Sequence, residues 1–125
     1  MHRSAIVLSV LVLGAPALAA PSAARGEAIY ARCAACHALE RNRVGPKHCG
    51  LIGRSAGSVP NFDYSPAMKN AHIVWSAQTL DRFLASPLKT VPGTSMTYDG
   101  VPDAAERADL IAYLQQASRS PECAH

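Results

Sequence analysis

Apolar positions along the chain fall into one continuous run near the N-terminus and a few short stripes further on. From Ala5 to Leu13 nearly every residue is apolar, after Met1, His2 and Arg3 and before the small-residue stretch Ala15-Pro16-Ala17-Leu18-Ala19-Ala20. Ile29, Tyr30 and Cys33 recur at helical spacing within a segment from Gly26 to about Cys36, which predicts a first helix. Ser76 is placed to cap a helix carrying Leu80, Phe83 and Leu84, with Pro87 ending it. Asp103 followed by Glu106 resembles a capping box ahead of Leu110, Ile111 and Leu114, and Ser120-Pro121 stops that last helix. A short helix is also expected at Pro66 to Asn70, with Pro66 at its first position. Almost nothing alternates as a strand does. The expected fold class is therefore all-α, with terminal helices and a loop-rich middle. A loop as long as that from Ala38 to Pro60 is unusual in a compact domain unless something anchors it.

The N-terminal order of positive charge, apolar run and small residues reads as a secretory signal peptide over residues 1–19, cleaved after Ala19, with a single domain over 20–125. The apolar run falls well short of the roughly 20 residues that span a bilayer, and Pro16 interrupts the chain just beyond it, so a membrane anchor fits less well. No later stretch is long and apolar enough to span. The product is expected to be soluble and outside the cytoplasm, in a bacterial periplasm, with membrane attachment by an uncleaved leader as the alternative. Loss of residues 1–19 removes Arg3 and leaves eleven basic against nine acidic residues, too mild a charge for nucleic-acid binding. One domain of this size has a limited core and often leans on a cofactor or a disulfide.

The four cysteines form two unlike groups. Cys33 and Cys36 stand with His37 in Cys-Ala-Ala-Cys-His, whereas Cys49 and Cys123 are isolated. The first group reads as covalent haem attachment. Two thiols three positions apart on a helical turn can each add to a haem vinyl group, and the adjacent histidine then reaches the iron. A thiol–disulfide redox motif is one rival, but it belongs between a strand and a helix, and no β-rich run precedes this one. A zinc site is another, and it needs a second clustered pair of ligands that the sequence lacks. A low-spin electron carrier wants a second axial ligand, for which a thioether favours the ferrous state. Met68 and Met96 are the methionines beyond the leader. Met96 ends Pro92-Gly93-Thr94-Ser95-Met96, a stretch bound to form a turn, whereas Met68 falls in the short helix, and core filling is the ordinary role of either.

From Gly26 to Leu114 the chain resembles a class I cytochrome c of the mitochondrial and bacterial c2 type. The resemblance rests on Cys33-Ala-Ala-Cys-His37, Gly45-Pro46, Gly50-Leu-Ile-Gly-Arg54, Phe62 and Tyr64, Trp75, Thr79-Leu80, Pro92-Gly-Thr-Ser-Met96 and Asp109-Leu-Ile-Ala-Tyr-Leu114, in family order at nearly family spacing. It implies a class I cytochrome c fold of short helices and loops around one covalent haem c, with His37 and Met96 as the iron's axial ligands. It further implies that the Pro46 carbonyl accepts a hydrogen bond from the other nitrogen of His37, and that Arg54, Tyr64, Trp75 and Thr94 lie near the haem propionates. Gly26, Tyr30, Leu110 and Tyr113 match positions where the first and last helices cross.

The sequence departs from that family at several points. Phe83 stands where mitochondrial-type members carry a tyrosine that donates to the methionine sulfur. His48 replaces a leucine beside the haem, and a partly exposed surface histidine is the expected reading, with an extra ligand or titrating neighbour as alternatives; His72 and His125 look solvated. Cys49 and Cys123 are additional cysteines, which in an oxidising compartment most simply pair, and the family fold brings their regions together; free thiols or a link to another chain are the alternatives. The lysine ring around the exposed haem edge is thin, with Arg32, Lys47 and Lys89 as candidates, so docking should be less salt-sensitive. The expected function is a monomeric one-electron carrier, not an enzyme. Its redox partners would be a bc1-type complex, an oxidase, a photosynthetic reaction centre or a periplasmic dehydrogenase. A peroxide- or gas-binding protein whose Met96 loop opens is the rival class, and a non-haem zinc or disulfide module is a third.

Overall fold

The computed structural model describes residues 9–16 and 19–124. Of the expected leader, residues 1–8, 17 and 18 lie outside the described residues; Val10, Leu11, Val12 and Leu13 are 79–90% exposed and outside any regular element. Five helices order the rest of the chain: α1 (Ala23–Tyr30), α2 (Pro66–Lys69), α3 (Ala77–Ala85), α4 (Pro87–Thr90) and α5 (Ala104–Ala117), with a 3-10 turn at Pro121–Cys123. No strand forms among the described residues; Ser55 and Val74 make an isolated antiparallel bridge. No helix among them is long and apolar enough to cross a membrane.

Each main helix starts where a side chain satisfies the free backbone amides of the first turn. Ser22 Oγ accepts from Arg25 N at 3.2 Å ahead of α1, and Ser65 Oγ accepts from Met68 N at 3.1 Å ahead of α2, whose first residue is Pro66. At α3 the reciprocal box pairs Ser76 with Thr79, whose hydroxyl accepts from Ser76 N at 2.8 Å. Asp103 Oδ1 caps α5 by accepting from Glu106 N at 2.8 Å. The Glu106 carboxylate does not complete a box. It turns to Arg32, accepting at 3.0 and 3.2 Å, because a charged partner offers it more than a backbone amide.

The first helix is shorter than the expected Gly26–Cys36 segment. After Tyr30 the chain continues in successive turns to Cys36, with Cys33 N bonded to Tyr30 O and His37 N to Cys33 O. Several of these bonds span three residues, from Arg32 N to Ile29 O, Cys33 N to Tyr30 O and Cys36 N to Cys33 O, so the chain tightens into turns; beyond them, Gly45 N donates to Cys36 O at 2.8 Å and Arg43 Nη1 donates to Ala34 O at 2.6 Å.

The two ends of the domain meet where α1 crosses α5. Gly26 lies so close to α5 that a Cβ there would overlap the Asp109 carbonyl, with Tyr113 Cβ only 2.8 Å away. The contact is possible because glycine presents no side chain. Around it, Asp109 accepts from Ser22 N at 2.7 Å and from Arg25 Nε and Nη2 at 2.7 and 3.0 Å. Tyr30 packs on Tyr113 with ring centroids 5.0 Å apart. Beneath the crossing, Leu110 is 1% exposed, and its burial alone is worth about 2 kcal/mol. On the other flank of α5, Arg107 Nε pairs with Asp81 of α3 at 2.8 Å. The C-terminal end is tied to the long loop, for Cys49 and Cys123 come within disulfide reach, Cα atoms 5.1 Å apart, and Gly50 N donates to Ser118 O at 3.3 Å.

The hydrogen bonds from Arg25 and then Ser22 hold the Asp109 carboxyl below its ordinary value of 3.8. A lowered acid stabilises the fold fully above its unfolded value, and the gain is lost as pH falls through the folded value. Asp109→Asn is therefore expected to lower the thermal midpoint at neutral pH, and the gap to the parent to close below about pH 4, as followed by circular dichroism.

Candidate functional site

Between the helix crossing and the loops lies a cavity of about 370 Å³, within the range of organic-ligand pockets. Its walls are largely apolar and include Leu51, Leu80, Phe83, Leu84, Leu110 and Leu114. Cys33, Cys36, His37, Pro46, Arg54, Tyr64, Trp75, Thr94 and Met96, all named from the sequence, line this one space. They come from the turns after α1, the long loop, the segments around Tyr64 and Trp75, and the loop before Tyr98, so tertiary folding gathers what the sequence spreads over 64 positions.

His37 is held from several sides. Its Nδ1 lies 2.8 Å from the Pro46 carbonyl oxygen. A carbonyl only accepts, so Nδ1 carries the proton and Nε2 keeps a free lone pair, the form that ligates a metal. Burial lowers the pKa of the ring, against the opposing pull of the Pro46 bond, and so favours this neutral state. A Cβ on Gly45 would overlap the imidazole, so only glycine lets the loop lie this close. His48 stacks on the same ring with centroids 4.2 Å apart and planes within 20°.

His48 is partly exposed, as expected, but its ring turns inward to stack on His37 instead of being solvated. Its ring is half-buried, its Nδ1 lies 3.0 Å from Tyr30 Oη, and burial, with the nearby His37 and Arg54, pushes its pKa down to about 3, so it is neutral at ordinary pH. The signal available in the sequence is its position eleven residues after His37, but nothing local says which way the ring turns. His72 is exposed, as a solvated histidine should be, with a positive φ of 53°, and His125 lies outside the described residues.

The two free cysteines differ in setting. Cys33 is half-buried, and burial raises its thiol pKa against the pull of Arg32; Cys36 is exposed. Met68 and Met96 both line the cavity. Met68 belongs to α2 and to the buried core, whereas Met96 sits half-buried in a loop, its backbone N bonded to Thr94 Oγ1 at 3.3 Å. Phe83 is buried against Trp75, ring centroids 5.0 Å apart.

Polar groups left over in the cavity show what it accommodates. Arg54 donates through Nη1 to Cys49 O at 3.0 Å and through Nη2 to Lys47 O at 2.9 Å, but its buried Nε has no partner. Tyr64 Oη accepts from Val59 N at 3.2 Å, which leaves its own proton uncommitted among the described contacts. An apolar space with unsatisfied donors beside it suits a large apolar molecule bearing anionic groups. Two thiols and a histidine with a free Nε2 complete a set suited to covalent haem. Among the described residues no three of His, Cys, Asp or Glu gather as a metal cluster, as a zinc module would require.

A family model for cytochrome c matches residues 23–118. The chain belongs to the cytochrome c family. Cytochrome c2 of Rhodomicrobium vannielii is 41% identical over 115 residues, covering 90% of this chain and 92% of that one. Cytochrome c2 of Blastochloris viridis is 37% identical over 119 residues, covering 93% and 94%. Among solved structures, cytochrome cH from Methylobacterium extorquens superposes with a TM-score of 0.73 at 41% identity, covering 75% of this chain and 97% of that one. As a cytochrome c, the chain binds one covalent haem c with its iron and is a small electron carrier with redox partners. The all-α fold of the class I cytochromes c expected from the sequence is the fold observed.

One expected docking residue is otherwise engaged. Arg32 pairs with Glu106 at 3.0 Å, which offsets its charge, while Lys89 is exposed and Lys47 half-buried. The exposed Val44, at the mouth of the cavity, adds an apolar rim.

Arg54→Leu removes two charge-assisted bonds and leaves the carbonyls of Lys47 and Cys49 unpaired. The fold should lose about 2 to 3 kcal/mol, measured by denaturant unfolding of the haem-loaded protein.

Proposed function

We propose that this cytochrome c is an exported, monomeric one-electron carrier in which Cys33 and Cys36 attach the haem and His37 and Met96 are the iron's axial ligands. The single observation that carries this is the state of His37: its Nδ1 proton is committed to Pro46 and its Nε2 is free, in a cavity that the two thiols and Met96 also line. When bound, the haem would supply the redox couple, its iron becoming ferrous as it takes one electron from a donor and ferric as it gives that electron to an acceptor. The protein's own groups do the rest. Pro46 fixes the tautomer and direction of His37 and raises its basicity. Arg54, Tyr64, Trp75 and Thr94 are proposed to face the haem propionates, where the uncommitted Arg54 Nε and Tyr64 hydroxyl offset the cost of burying negative charge. The apolar walls exclude water, which favours the less charged reduced state.

Residues 1–19 are proposed as a cleaved leader that delivers residues 20–125 to the periplasm. The charge, apolar run and small-residue order supports this, as does the exposure of Val10 to Leu13 away from the core. In that oxidising compartment Cys49 and Cys123 are proposed to form a disulfide. The partner would be a bc1-type complex, an oxidase, a reaction centre or a dehydrogenase. Because Arg32 is paired with Glu106, docking should depend only modestly on salt.

Three measurements test this reading. The exported protein should show a covalent low-spin haem with the ferric sulfur-to-iron charge-transfer band and resist cyanide and carbon monoxide. Met96→Ala should keep the covalent haem but lose the band and bind both ligands; a high-spin parent that binds them readily would favour a peroxidase or gas sensor. Intact mass after alkylation without reductant should show no label on Cys49 or Cys123, and replacing both with serine should cost roughly 2 to 4 kcal/mol of stability.

A further inference from the structure

The residues packed on the far side of His37 form a chain of contacts that leads back to the helix crossing. Tyr113 of α5 packs on Tyr30 of α1; Tyr30 reaches His48 by a 3.0 Å hydrogen bond and an edge-on ring contact at 5.7 Å; and His48 stacks on His37. His48 is also fixed through its backbone. Its N–H donates to the carbonyls of Ala38 and Leu39, just after His37 in the chain, and Cys49 N donates to Leu39 O at 2.8 Å.

Filling space does not account for this arrangement. An alkyl side chain would pack there without a polar nitrogen to satisfy, whereas a half-buried imidazole costs free energy unless it is bonded. The bond to Tyr30 offsets that cost, and it also sets the plane of the ring. A ring held parallel to a second ring restrains the second ring's rotation, which a freely rotating alkyl group does weakly.

Resting on the assignment of His37 as an axial ligand, we infer that His48, oriented by Tyr30, is a positioning residue that fixes the rotation of the His37 ring and lowers the reduction potential relative to an alkyl side chain. The sign comes from the stack. Iron-bound imidazole is more positive when the iron is ferric, and the electron-rich face of a neutral aromatic neighbour attracts positive charge. The oxidised state is stabilised more than the reduced one, and the potential falls.

The test uses the haem-loaded protein and its variants His48→Leu, His48→Phe and Tyr30→Phe. Each is titrated potentiometrically, and the hyperfine-shifted proton resonances of His37 and of the haem methyls are recorded in the oxidised form. His48→Leu should raise the potential and alter the pattern of shifts, because the ring is no longer held. His48→Phe keeps a π face without the hydrogen bond and should lie between His48→Leu and the parent. Tyr30→Phe should move both readouts in the direction of His48→Leu by a smaller amount. An unchanged or lower potential in His48→Leu, or a change confined to thermal stability, would overturn the inference. A parent spectrum without histidine and methionine ligation overturns the ligand assignment and this inference with it. A normal parent with unmoved variants overturns this inference alone.

Discussion

Gly26 lies against the backbone of Asp109 with no room for a side chain, and the rest of the domain is arranged around that contact. It brings α1 and α5 into direct crossing, so that the two ends of the domain are joined although more than eighty residues separate them. Asp109 then serves both helices: it belongs to α5, and it accepts bonds from Ser22 and Arg25 at the start of α1. Everything between the two helices must leave the crossing and return to it. The intervening chain has few helices of its own, and it returns as loops around a cavity.

Those loops are held by side chains and cross-loop bonds more than by regular structure. Arg54 bonds the carbonyls of Lys47 and Cys49, Arg43 bonds those of Ala34 and His37, and Gly45 N takes the Cys36 carbonyl. The same contacts set up the site. The Gly45–Pro46 segment that ends the α1 turns also supplies the carbonyl for His37, and the His48–Cys49 segment that supplies the stacked ring is bonded to the chain just after His37. The fold and the setting of His37 therefore share one set of interactions, and a change in the long loop acts on both.

Electron transfer by a small cytochrome c requires little motion around the haem, and the structure restrains His37, the proposed axial ligand. His37 has its tautomer set by one hydrogen bond, and its surroundings are filled by the Gly45 backbone and the His48 imidazole. The uncommitted Arg54 Nε and the Tyr64 hydroxyl are oriented before any anionic group arrives.

Much of this is legible in the amino-acid order because the relevant chemistry is local. Two thiols and a histidine in one turn, a proline–glycine turn ahead of Met96, and cap residues at Ser76 and Asp103 each act over a few positions, and the resemblance to the cytochromes c orders them. What the sequence leaves open are side-chain directions set by distant partners. Glu106 is expected in a capping box, yet Arg32, 74 positions away, takes its carboxylate. The first helix is expected to reach Cys36, but after Tyr30 the chain tightens into turns, and loop donors from Arg43 and Gly45 hold the carbonyls of Ala34 and Cys36. His48 is expected to be a partly exposed surface residue, and only the approach of Tyr30 and His37 in three dimensions turns its ring inward. Spacing along a chain specifies which groups can act within a turn or two. Which of several partners a long or polar side chain takes depends on distances that exist only after the chain has closed on itself.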